Sequence, residues 1–310
     1  MQMKMLDPLT QQIILGSWRN VLNGFLIDRQ SRSLSPRSIQ FYRDELRYFT
    51  DFLDQLGVQI ITEITADIIR KYLLHLSQTR NPGGCHAAYR AIRALCLWWE
   101  DETDGDYRAP IHKVKPPKKN KQPLPGIPLD SVQQMVKACK TNSQLAPRDT
   151  AVLLTLLDTG CRASELISLN IGDVDIITGA INILHGKGDK HRVVYIGKRT
   201  RLELRRYLKT RQELSQRSPL FTTDDNERLG FWGLRQIVRR RAKDAQIPEP
   251  GLHDFRRCFA LNCLRNGMDL ISLSRLLGHS SLTVTQGYIA QINDDLQAAH
   301  RKGSPVDRME

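Results

Sequence analysis

Between Arg108 and Pro128 the chain reads RAPIHKVKPPKKNKQPLPGIP, with six basic residues, no acidic ones, and prolines spaced so that no regular element runs through. A helical or sheet core cannot be continuous across such a stretch, so the 310 residues divide into two folding units joined by a charged linker. The expected divisions are a helical unit over 10–107, the linker over 108–128, a second unit over 129–292, and a C-terminal helix and tail over 293–310.

On either side the hydrophobic period is helical. LSPRSIQFYRDELRYFTDFLDQLG offers Ser35 as a cap and Pro36 at the first helical position, then places Ile39, Tyr42, Leu46, Phe49, Leu53 and Leu56 on one stripe. A second helix is predicted from the Thr65 cap through ADIIRKYLLHLSQ, and a third from about His86 through AAYRAIRALCLWWED. After the linker, helices are predicted in LDSVQQMVKACK, PRDTAVLLTLLDTG and ASELISL. The period then changes in DVDIITGAINILHGKGDKHRVVYIG, whose β-branched runs, broken by TG and GKGDK, predict three short antiparallel strands. Helical spacing returns over 201–213, 234–246, 253–266 and 270–277. The fold class expected is mainly α with a small antiparallel sheet: an N-terminal bundle and a mixed α/β C-terminal unit.

A hydrophobic content of 40% with a formal charge of +13 describes a chain with a real core and a cationic surface. Such a charge suits a polyanionic partner, nucleic acid before a membrane surface. The longest aliphatic patch, AVLLTLL at 151–157, is far too short to span a bilayer, and the chain reads as cytoplasmic, with no membrane partner. Six cysteines without a CxxC pair point to reduced, packed thiols and no metal site.

Five separated patches hold residues that are costly to bury and chemically useful: Arg162 with Glu165 in TGCRASEL, Lys187 in HGKGDK, His253 with Arg256 in HDFRR, His279 in LLGHSS, and Tyr288 in TQGYI. No metal or cofactor motif accompanies them. Two arginines and a lysine without a cofactor suit a phosphoryl centre, where catalysis is positioning and charge neutralisation. His279 and Tyr288 stand nine residues apart and would face opposite sides of one helix, so the chain must turn between them. Gly278 can end the first helix, Ser280 or Ser281 can cap the next, and Gly287 can let the tyrosine swing.

In this order, and with a strand hairpin around the lysine, these patches resemble the tyrosine recombinases of the phage-integrase family, in their simple two-domain Xer-like form. The resemblance covers nearly the whole chain. The arginine and acidic residue three later fit Arg162 and Glu165, the hairpin lysine fits Lys187, His-x-x-Arg fits His253 and Arg256, and Leu-Gly-His with a tyrosine nine residues on fits His279 and Tyr288. One departure is visible: many members carry a histidine two residues after the tyrosine, and this chain has Ala290.

The resemblance implies a SAM-like core-binding bundle followed by a catalytic domain, and DNA cleavage and rejoining through a 3′-phosphotyrosyl intermediate without a cofactor. Tyr288 would be the nucleophile, His253 the base, Lys187 the acid, Arg162, Arg256 and His279 the phosphate ligands, and Glu165 a supporting residue. The implied partners are double-stranded DNA carrying paired half-sites, a homo-tetramer formed on it by exchange of the segment after Tyr288, and accessory proteins. On this reading no arm-binding domain is expected ahead of the bundle. Candidate DNA contacts are Arg43, Arg47, Arg90 and Arg93 in the bundle, Lys115, Lys118 and Lys119 in the linker, and Arg235, Arg239 and Arg240 in RQIVRRRAK. A relaxing topoisomerase of type IB and a silent DNA-binding protein are the alternative readings.

Overall fold

The computed structural model describes residues 16–104, 106–118, 126–139, 145–184, 191–212, 214–278 and 282–289, with 300, 304 and 306. Two compact units divide between Gln122 and Pro123.

The N-terminal unit consists of α1 (Trp18–Ser31), α2 (Pro36–Gln55), α3 (Ala66–Ser77) and α4 (Pro82–Glu102). Ser35 accepts from the Ser38 N–H and Thr65 from the Ile68 N–H, so the two predicted caps start α2 and α3. α4 begins four residues before the predicted start, because Asn81 caps Gly84 with Pro82 in the first turn. α1 went unpredicted. It carries no side-chain cap, and its place is set by packing, with Phe25 fully buried and the Trp18 indole donating to the Val58 carbonyl at 3.0 Å. The core joins Phe25, Leu46, Phe49, Ile69, Tyr72 and Ile92.

The expected linker is folded at its start. Pro110–Lys113 form a 3-10 turn, Ala109, Ile111 and Val114 are buried in the N-terminal core, and Tyr89 Oη donates to the Val114 carbonyl at 3.1 Å. Proline excluded an α-helix here but not an anchored turn, because its fixed φ suits a helix's first position.

In the C-terminal unit, α5 (Leu129–Ala138), α6 (Ala146–Thr159) and α7 (Ala163–Ser168) precede a two-stranded antiparallel sheet, β1 (Ala180–Ile183) with β2 (Arg192–Tyr195), Ile183 opposite Arg192. Then come α8 (Lys198–Leu208), α9 (Phe231–Asp244), α10 (Leu252–Arg265), α11 (Leu270–Leu277) and α12 (Leu282–Ile289). The third predicted strand, in DVDII, is not formed beyond a single bridge from Val174 to Ile181. Its aspartates turn the chain instead: Asp175 Oδ1 accepts from the N–H groups of Ile177 and Thr178 at 2.8 and 3.2 Å. α6 is the spine of the unit, buried along most of its length and packed against α8 and α10. All six cysteines are unpaired and only Cys263 is not fully buried. Among the described residues no helix is long and apolar enough to cross a membrane.

Candidate active site

Arg162 is placed by the end of α6. Gly160 closes that helix at φ +57, where an added Cβ would strike the Phe259 ring, and two residues later Arg162 sits immediately before α7. One turn on, Glu165 reaches back: Oε2 accepts from the Arg162 N–H and Oε1 from its Nη1, both at 2.7 Å. Arg256 is on α10, 1% exposed. It donates Nη1 to the Gly160 carbonyl at 2.9 Å and Nη2 to the Leu277 carbonyl at 2.6 Å, while its buried Nε has no partner among the described residues.

α11 supplies the common point. It ends at Gly278, in the left-handed region at φ +64 as its sequence position suggests. The last carbonyls of a helix lack partners within it and form the negative end of its dipole. Here Leu276 receives Arg192 Nε at 2.8 Å, Leu277 receives Arg256, and Gly278 lies 3.5 Å from Arg162 Nη2. Three consecutive carbonyls therefore face three arginines.

Arg192 is the functional-site residue that motif reading missed. From β2 its Nη1 and Nη2 donate to the two oxygens of Glu165 at 2.9 and 2.7 Å. The available signal is alternation: Arg192 shares a strand face with Val194 and Ile196, both buried, so an arginine points inward.

The electrostatics follow from this packing. Burial pushes the Glu165 carboxyl up, but the bonds from Arg192, from the Arg162 backbone and from the Arg162 side chain outweigh it and bring the pKa down to about 2. Burial and neighbouring Arg162 lower the Arg256 guanidinium to about 10, against the upward pull of Glu165 and Tyr288, and it stays charged at neutral pH. His253 begins α10 and keeps solvent contact. Partial burial of its ring, then the charges of Arg257 and Arg256, hold its pKa below the usual imidazole value. Arg257 turns to Asp254, at 2.6 Å.

Tyr288 lies on α12, 7% exposed, in an apolar cluster with Ala260, Leu261, Leu273 and Leu277. The structure thus brings Arg162, Glu165, Arg256 and Tyr288 around the C-terminal end of α11, with His253 close to both arginines. Lys187, in the connection between β1 and β2, lies outside the described residues, as do His279, Ser280, Ser281, Lys119 and residues 290–299.

The other cationic residues are spread over both units. Arg43, Arg47, Arg90 and Arg93 are exposed on α2 and α4, Arg47 lying over the Tyr48 ring and Arg90 over Phe41. Lys115 and Lys118 are exposed. On α9, Arg235 and Arg239 are exposed and loosely paired with Glu249 at 3.6 and 3.7 Å, whereas Arg240 is tied to buried Asp149 at 3.1 Å. Among the described residues no group of three or more His, Cys, Asp or Glu is arranged to hold a metal.

Residues 127–294 match the model of the phage integrase family, and residues 22–93 that of its N-terminal SAM-like domain. Tyrosine recombinase XerC of Pelotomaculum thermopropionicum is 31% identical over 303 residues, covering 92% of this chain and 97% of the relative. Tyrosine recombinase XerD of Listeria monocytogenes is 30% identical, covering 83% and 89%. Among solved structures, a lambda integrase dimer bound to a core site superposes with a TM-score of 0.73 at 13% identity, over 92% of this chain and 81% of that one. The post-cleavage complex of XerH on a palindromic difH substrate gives 0.70 at 19%, over 90% and 83%. At such identities the likeness concerns the fold.

Proposed function

The chain belongs to the phage integrase family, and we propose that it cuts and rejoins DNA strands through a transient 3′-phosphotyrosyl ester at Tyr288. It is a site-specific tyrosine recombinase. The tyrosine oxygen forms a bond to a backbone phosphorus as the 5′-oxygen leaves, and the ester keeps the free energy of the broken linkage, so resealing needs no ATP.

The residues divide that work. Arg162 and Arg256 neutralise the charge that spreads over the equatorial oxygens, and their guanidinium forks match two non-bridging oxygens at once. His253 accepts the phenolic proton. Its lowered pKa keeps the imidazole neutral and able to do so. Lys187 protonates the departing oxygen, His279 donates to the same phosphate, and Glu165 holds Arg162. The observation that carries this reading is the convergence of Arg162 and Arg256 on the carbonyl end of α11, whose Leu277 also packs in the Tyr288 cluster.

Its substrate is double-stranded DNA bearing paired half-sites, held by cationic residues of both units and processed in the cytoplasm by four copies that assemble on it. A nicked suicide duplex tests the reading. Wild-type protein becomes covalently attached and Tyr288→Phe does not. An adduct in Tyr288→Phe rejects Tyr288 as nucleophile, and relaxation of supercoils by a monomer without paired sites favours the topoisomerase alternative.

A further inference from the structure

Arg192 lies outside every motif of the site, yet it has the most constrained guanidinium there. All three of its nitrogens already donate within the protein, two to Glu165 and one to the Leu276 carbonyl, and its side chain is 10% exposed. Glu165, 2% exposed, receives four bonds in all, two from Arg192 and two from Arg162. One planar group on β2 therefore ties the residue that holds Arg162 to the end of the helix whose next carbonyl holds Arg256.

We propose that Arg192 is a positioning residue for phosphoryl transfer: through Glu165 it fixes the Arg162 guanidinium, and through the Leu276 carbonyl it fixes the end of α11 against which Arg256 is set. A lysine cannot replace it, because a single ammonium has no planar fork to span both carboxylate oxygens and reach the carbonyl as well. Without Arg192, Glu165 keeps only the bonds from Arg162, and the α11 end loses one of its arginines. The phosphate ligands are then displaced while the DNA-contacting surfaces remain. The inference rests on the phosphotyrosyl reading.

The test is single-turnover cleavage of a nicked half-site duplex by the full chain, at saturating DNA, with half-site Kd and thermal melting measured in parallel. Arg192→Ala should form the Tyr288 adduct about 100-fold more slowly, the scale of loss expected when reacting groups are misplaced by about an ångström. Its Kd should change less than roughly threefold, since the backbone contacts that set affinity are untouched. Arg192→Lys should recover only part of the rate. Combined with Glu165→Gln, the loss should fall well short of the product of the two single losses, because both act on one network.

A wild-type rate per folded molecule in Arg192→Ala, or losses that multiply, overturns the proposal. Should Arg192→Ala not fold, Arg192→Lys carries the test by the same criterion: a slower rate at unchanged Kd supports it, and a wild-type rate overturns it. Failure of the wild-type protein itself to form an adduct rejects the phosphotyrosyl reading instead, and is distinguishable for that reason.

Discussion

Gly278 lies against the side chain of Arg192 so closely that a β-carbon on it would fall 3.0 Å from Cδ and 3.1 Å from Nε. The same residue holds φ +64, so an alanine there meets backbone strain and steric contact together. Gly278→Ala is expected to cost roughly 1–3 kcal/mol of stability, read as a lower midpoint in urea. Because the displaced group is Arg192, cleavage of nicked DNA should also slow. A variant as stable and as fast as wild type would remove this contact from the account of the site.

Arg256 spends two nitrogens on carbonyls 117 positions apart in sequence, Gly160 and Leu277, and so locks the end of α6 to α11 behind the proposed phosphate site. Arg256→Lys keeps a positive charge but not the two-pronged geometry. Its cleavage rate should fall by about 10²–10³-fold, the scale seen when one preorganised transition-state donor is lost. Arg256→Ala should in addition destabilise the fold by roughly 1–3 kcal/mol for each carbonyl left without a donor. Suicide-substrate kinetics and denaturant melts separate the two effects.

Glu165 ties the same centre to pH. Its folded-state pKa, about 2, is below the ordinary 4.5, so the unfolded chain binds the proton more readily. The stabilisation is present above pH 4.5 and is lost as pH falls toward 2. Glu165→Gln, which breaks a buried pair on one side, should destabilise the protein at pH 7 by roughly 3 kcal/mol. The gap between variant and wild type should close progressively below pH 4.5. A gap that is constant with pH would mean that the carboxylate charge contributes nothing.

How far the sequence reached depends on whether the cause was local. Ser35 with Pro36, Thr65 and Gly278 were legible because a cap or a left-handed turn is written in neighbouring residues. The start of α8 was not. Predicted at Arg201, it begins at Lys198 because Asp158, far away on α6, accepts from the Gly197 N–H and the Thr200 hydroxyl. Tertiary causes also account for α1 and for the anchored turn at 110–113, since neither has a side-chain cap, although Pro110 suits the start of the turn. In the site, motif spacing pointed to Arg162, Glu165, Arg256 and Tyr288, whereas Arg192 stands outside every motif; strand alternation turns it inward, and its part in the site becomes clear when its three nitrogens are traced to their acceptors.

Lys115 and Lys118 are exposed, just past the residues that anchor the linker to the N-terminal core. If they follow the DNA backbone, each substitution by alanine should lower the slope of log K against log salt by about 1. The loss of affinity should be equal for a matched half-site and a scrambled one, because phosphate contacts carry no sequence information. Unequal losses on the two duplexes would move these lysines into base or shape reading.

The His253 imidazole sits where partial burial and the charges of Arg257, Arg256 and Arg162 disfavour its protonated form, with Asp254 opposing them. A base must be neutral to accept the phenolic proton, so the lowered pKa extends activity toward acid. The acid limb of the single-turnover cleavage rate should have its midpoint below about 6.5, the value of an unperturbed histidine. His253→Gln should remove that limb and slow cleavage by about 10²–10⁴-fold, the usual worth of a positioned acid or base. Arg257 supplies a sharper check. Arg257→Gln deletes one of the repelling charges and removes the ion-pair partner of Asp254, so both changes raise the imidazole pKa and the midpoint should move to higher pH. The stability effect has the matching sign. The folded chain binds this proton less readily than the unfolded one, so His253 contributes a loss of stability as pH falls below about 6.5. A midpoint at or above 6.5 in the wild type, or one that Arg257→Gln leaves in place, would assign the proton transfer to another group.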